Sequence, residues 1–92
     1  MTIRVEVEAR FTLALKSLPP DRQKGAIRAL GKFAATPGLP GLNLHVLRNA
    51  RDCWIIYVNA KGDRIILRKL AEDHYVALDV GPHDNVYARW NR

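Results

Sequence analysis

The chain has one cysteine, Cys53, and no long apolar run. A single thiol excludes an internal disulfide and any zinc site built on cysteines, because both need several sulfurs. Cys53 therefore reads as a small apolar packing group. Apolar stretches of only a few residues exclude a membrane-spanning helix, and Met1-Thr2-Ile3-Arg4-Val5-Glu6 lacks the apolar stretch of a signal peptide. These absences lead us to expect a cytoplasmic protein with no membrane partner. Acidic residues are also scarce: nine Asp and Glu stand against fifteen Lys and Arg, a formal charge of +6 on 92 residues. Such an excess favours polyanionic partners: nucleic acid, a ribosome or an acidic protein segment. The cations are scattered from Arg22 to Arg92, which describes a folded basic surface rather than a disordered arm. At this length there is room for one core, so residues 1–92 read as a single domain.

The apolar period changes along the chain. Ile3, Val5 and Val7 alternate with Arg4, Glu6 and Glu8, as in a half-buried strand. From Phe11 the spacing is helical through Ala14, Leu15 and Leu18, until Pro19-Pro20 stops it and Asp21 offers an N-cap for a second helix. In that helix Ala26, Ile27, Leu30, Phe33 and Ala34 form one stripe. Pro37-Gly38-Leu39-Pro40-Gly41 then breaks the helix and leads to a sheet. The remainder reads as a meander with strands at Leu44 to Leu47, Trp54 to Asn59, Arg64 to Leu70 and His74 to Val80. With Ala60-Lys61-Gly62-Asp63 as the turn, Asn59 faces Arg64, Tyr57 faces Ile66 and Ile55 faces Arg68. Trp54, Ile56, Val58, Val76, Leu78 and Val80 then form the face that packs on the helical pair, leaving Tyr57, Asn59, Arg64 and Arg68 on an outer face. The fold class is α+β: an N-terminal strand, an antiparallel helical pair, an antiparallel β-meander and a short C-terminal helix carrying Val86 and Trp90.

Chemistry is expected where Val80-Gly81-Pro82-His83-Asp84 and Tyr87 follow the last strand. Histidine titrates nearest neutrality and moves protons with little tuning, and the glycine and proline ahead of it should force the chain out of the strand. Strand pairing carries Arg64 to the neighbourhood of Val80 and Gly81, hence towards His83 and Tyr87. A cation, an imidazole and a phenol suit phosphodiester chemistry: the guanidinium stabilises charge on the phosphoryl oxygens and the imidazole moves the proton. RNA brings its own nucleophile in the 2′-hydroxyl, so neither a metal nor a cofactor is called for. His45 and His74 are weaker candidates, and the three histidines show no metal-ligand spacing. Asp84 can either orient His83 or cap the last helix. Trp90 suits packing or base stacking, and Tyr57 suits base stacking or a protein partner. Arg48, Arg51 and Arg68 suit RNA phosphates, with solvated basic positions as the alternative.

The order Pro37-Gly38-Leu39-Pro40-Gly41-Leu42-Asn43, Leu47-Arg48, Trp54-Ile55-Ile56-Tyr57-Val58-Asn59, Arg64-Ile65-Ile66-Leu67 and Val80-Gly81-Pro82-His83-Asp84 with Tyr87 resembles the RelE/ParE-type toxins of bacterial toxin-antitoxin systems, over nearly the whole chain. The resemblance implies a compact α+β fold and a cognate antitoxin as partner. In the RelE branch it also implies cleavage of mRNA on the ribosome by attack of the 2′-hydroxyl on the adjacent phosphate. On that reading Arg64 matches the phosphate-binding arginine, Tyr87 the C-terminal tyrosine, and His83 a catalytic position filled by histidine in some members. Lysines of the RelE branch have no counterpart at Ile55 and Tyr57, so proton transfer falls to His83. The ParE branch implies the alternative of a DNA gyrase poison that acts by binding, and the shared fold also admits an inactive binding module.

Overall fold

The computed structural model describes residues 2–48, 50–59 and 62–90. Within them the chain forms β1 (Arg4–Val7), α1 (Ala9–Lys16), α2 (Pro20–Ala35), a 3-10 turn (Pro40–Leu42), β2 (His45–Val46), β3 (Cys53–Tyr57), β4 (Asp63–Ala71), β5 (His74–Pro82) and α3 (His83–Trp90). This is the α+β order that the patterning predicts. The strands make one sheet in the order β1-β5-β4-β3-β2, antiparallel apart from β1, which lies parallel to β5.

Helix α2 begins one residue before the expected cap. Pro20 opens it, where the missing N–H costs nothing, and Asp21 falls in the first turn with its charge near the positive helix end. Its buried stripe is Ala26, Ala29 and Phe33; Ile27, assigned to that stripe from spacing, is 57% exposed. With Phe11 and Leu18 the stripe packs on Ile56, Ile65, Leu67, Tyr75, Ala77 and Val80 of the sheet. Ile56 is fully buried there. Removing one methylene by Ile56→Val is expected to lower stability by about 1 kcal/mol, measured by urea unfolding; an unchanged midpoint would contradict its place in this core.

The β3–β4 register differs from expectation by two residues. Tyr57 faces Arg64, Ile55 faces Ile66 and Cys53 faces Arg68. A shift of two keeps every side chain on its own face, which is why the core face was legible and the partners were not. Asp63, assigned to the turn, is instead the first residue of β4 and is buried. Arg22 of α2 donates to its carboxylate through Nε (2.9 Å) and Nη2.

Two further corrections place the site. Val76, Leu78 and Val80 do not share the face of the helical pair, because β5 carries a bulge: Ile66 faces Asp79 while Leu67 faces Ala77. The extra residue shifts the alternation, so Val80 stays against α1 and α2 while Val76 and Leu78 join the opposite face. That opposite face is not open either. Helix α3 lies across it, and Ile55, Ile66, Leu78 and Val86 are fully buried in a second core with Leu47 and Cys53. Among the described residues no helix is long and apolar enough to cross a membrane.

A candidate active site where α3 leaves the sheet

Gly81 and Pro82 do not take the chain out of the strand. Strand β5 runs through Pro82, and α3 starts at the next residue. The His83 backbone N–H donates to the Gly62 carbonyl (2.8 Å), which ties the helix start to the β3–β4 loop. Asp84 accordingly lies inside the first turn of α3 rather than before it. Its carboxylate, fully exposed, is 3.1 Å from His83 Nδ1. A carboxylate accepts, hence Nδ1 carries the hydrogen and Nε2 is the outward-acting nitrogen. The imidazole is about half exposed, and Tyr87, one turn on, lies 4.0 Å from it between ring centroids, tilted by 34°.

Arg64 stands in the next strand. It is the cross-strand neighbour of Gly81 on one side and of Tyr57 on the other. The guanidinium carbon sits 3.6 Å above the centre of the Tyr57 ring, and Nη1 donates to the Asp63 carbonyl (3.0 Å). A cation over an aromatic face is held flat and aimed, which a flexible surface arginine is not. The Nε of Arg64 is buried without an acceptor among the described residues. The structure thus brings Arg64 to the strand end from which His83 and Tyr87 project. It also sets Tyr57 beneath the cation instead of leaving it central on an open face.

The other candidates divide. Arg48 lines a cleft of about 210 Å³ with His45 and Tyr87, close to the site. Arg51 lies in the β2–β3 loop, and Arg68 faces Cys53 four residues along β4 from Arg64, so both belong to the far end of the sheet. Four strand residues span about 13 Å. Burial, ahead of the partly opposing influence of Arg68, pushes the Cys53 thiol up, which keeps it protonated and inert. His74 opens β5 and sits 3.2 Å from Glu6, away from His83. Trp90 is a packing residue: its indole donates to buried Asp79 (2.7 Å), and Arg10 lies 4.7 Å over its ring. A larger groove, about 510 Å³ between α1 and α3, holds neither Arg64 nor His83. Among the described residues no three His, Cys, Asp or Glu side chains gather as metal ligands do.

Asp79 is the residue that sequence reading missed. Its carboxylate accepts from Arg89 Nε and Trp90 Nε1, both at 2.7 Å, and from the Val80 backbone (2.8 Å), pinning the end of α3 to β5. A polar residue in an apolar alternating strand was the available signal. Asp79→Ala leaves the buried Val80 N–H and the half-buried Trp90 indole without this acceptor and is expected to cost about 2 kcal/mol. Because α3 carries His83 and Tyr87, its Trp90 fluorescence should also shift to the red; an unchanged spectrum and midpoint would contradict the docking role.

No protein-family profile matches the chain, and no curated protein matches it in sequence. Solved structures do match. A mutant of the E. coli toxin RelE with two arginines replaced by alanine, in the free state, aligns at TM-score 0.72 and 18% identity, covering 99% of this chain and 96% of that one. RelE–RelB from Pyrococcus horikoshii aligns at TM-score 0.68 and 18% identity over 90% of this chain and 97% of that one. YafQ from E. coli gives TM-score 0.73 at 13% identity over 92% and 98% respectively. The fold is that of the RelE-type toxins.

Proposed function

We infer that the chain is the toxin of a toxin-antitoxin pair and an endoribonuclease that cuts mRNA, with the ribosome as the place of action and the cytoplasm as the compartment. The observation that carries this reading is an aimed cation at the strand end that leads to a titratable ring: Arg64, held 3.6 Å over Tyr57, is paired with Gly81, two residues before His83, whose ring lies 4.0 Å from that of Tyr87. A phosphodiester placed against the guanidinium has its developing oxyanion charge compensated in the transition state. His83 Nε2 moves a proton there, and Tyr87 positions the ring. The nucleophile is the 2′-hydroxyl of the RNA itself, so the side chains supply only charge and proton transfer. The surplus of six positive charges draws the protein to RNA-rich surfaces and to an acidic antitoxin segment that covers the site. The fold shared with RelE and YafQ supports the same reading.

The test is induction of the chain in bacteria with mapping of mRNA 5′ ends beside a gyrase supercoiling assay. New mRNA ends that vanish for His83→Ala are expected. Intact mRNA with gyrase-dependent DNA breaks would overturn the ribonuclease in favour of a gyrase poison.

A further inference from the structure

We propose that the groove between α2 and the open edge of β3 is a track for single-stranded RNA. The scissile phosphate lies against Arg64, a placement that rests on the ribonuclease reading above, and the groove takes the strand on one side of it. Its volume is about 470 Å³, and Arg28 and Lys32 line it. Both side chains are exposed, and neither makes an ion pair or a hydrogen bond among the described residues. Lys24 continues the row one turn earlier, so cations recur at every fourth position of α2. Four residues rise about 6 Å, of the same order as the interval between phosphates along an extended RNA strand. No acidic residue interrupts the row from Arg22 to Ala35; the one carboxylate of the helix, Asp21, is in its first turn and also lines the groove, where Arg22 is already committed to Asp63. Like charges one turn apart weaken a helix, a loss that a polyanion bound along the row reverses.

Continuity with the site favours RNA as the occupant. Strand β2 pairs only with Trp54 and Ile55 of β3, so among the described residues the outer edge of β3 has no strand beside it from Ile56 onward. Tyr57 stands on that stretch, lines the groove and carries the Arg64 guanidinium over its ring. An RNA strand with its reacting phosphate on Arg64 therefore passes Tyr57 and enters the groove. Leu39, Leu42 and Val58 offer its bases an apolar wall, while its phosphates meet Arg28, Lys32 and then Lys24. A basic groove that follows the backbone with an apolar surface for the bases is how single strands are held without reading their sequence. An acidic protein segment would meet the same cations, but its carboxylates come at no fixed interval.

The experiment measures binding of the purified protein to two RNAs that carry a 2′-deoxy nucleotide at the cut and so lack the nucleophile: a short one confined to the nucleotides at Arg64, and one extended on both sides. The extended RNA is expected to bind more tightly and with a steeper salt dependence. Arg28→Ala/Lys32→Ala should weaken the extended RNA about 10-fold and lower its log–log salt slope by about 1.4, the value for two phosphate contacts to a single strand, while the short RNA binds as before. Arg28→Lys/Lys32→Arg should behave as wild type. Thermal unfolding of the double alanine variant should match the wild type, because both side chains are exposed. An extended RNA bound no more tightly than the short one, an equal loss on both, or an unchanged slope would each overturn the proposal. So would a double variant that keeps its RNA affinity and loses only its retention of a polyglutamate peptide, which would assign the groove to an acidic protein segment. Wild-type protein that binds as expected yet leaves mRNA on ribosomes uncut would sink the ribonuclease reading alone, with the groove still an RNA track.

Discussion

Arg64→Ala is expected to slow RNA cleavage by about 1,000-fold, the loss seen when an aimed charge is removed from a developing oxyanion. The guanidinium is stacked on Tyr57 and anchored to the Asp63 carbonyl, so its orientation is set before substrate arrives. Arg64→Lys should recover little of the rate, because an ammonium supplies a point charge without the planar fork or the stacking surface. Stability should change by about 1 kcal/mol or less, since the side chain is only half-buried and, among the described residues, lies in no carboxylate pair. Single-turnover cleavage together with thermal unfolding checks both parts. A large loss of stability would make Arg64 a structural residue.

Asp63→Ala is expected to have the largest effect on folding, about 3 kcal/mol in urea unfolding. The carboxylate is buried and receives the forked Arg22 guanidinium and the Asn59 amide. Its removal strands Arg22, which is one-third exposed, so the cost lies at the lower end of what breaking a buried pair entails. The same pair sets a pH dependence. The Arg22 hydrogen bond, against the opposing effect of burial, holds the Asp63 carboxyl below its ordinary 3.8. The unfolded chain therefore binds the proton first as pH falls, so this stability is complete above the ordinary value and lost progressively below it. Asp63→Asn should flatten the acid limb of the stability curve; an unchanged limb would contradict the pairing.

Much of the fold was legible because apolar period and loop punctuation are local. The first strand, the breaks at Pro19 and Pro37, and the meander all stand where their patterns put them, although Val7, on the apolar side of the first strand's alternation, is exposed. What failed was non-local. Asp63 looked like a turn residue because its partner, Arg22, is 41 positions away. Leu78 and Val80 looked alike because they alternate about Asp79 as they would in a regular strand, and a bulge leaves no mark in that pattern. The outer sheet face looked open because the eight-residue helix that covers it is too short for its apolar side to be read firmly. For the site, Arg64 reached the expected end of the sheet despite the two-residue error between β3 and β4, since the β4–β5 register at Arg64 and Gly81 is as expected. The contacts of His45 with the Asn43 carbonyl and the Tyr57 ring were not legible, because neither has a signature in spacing.

The most direct test of the account is the end chemistry of RNA cut by the purified protein. Attack by the 2′-hydroxyl predicts fragments ending in a 2′,3′-cyclic phosphate, with a 5′-hydroxyl on the downstream piece, and their loss in Arg64→Ala and His83→Ala. Fragments with a 3′-hydroxyl and a 5′-phosphate, or undiminished cleavage by both variants, would contradict it.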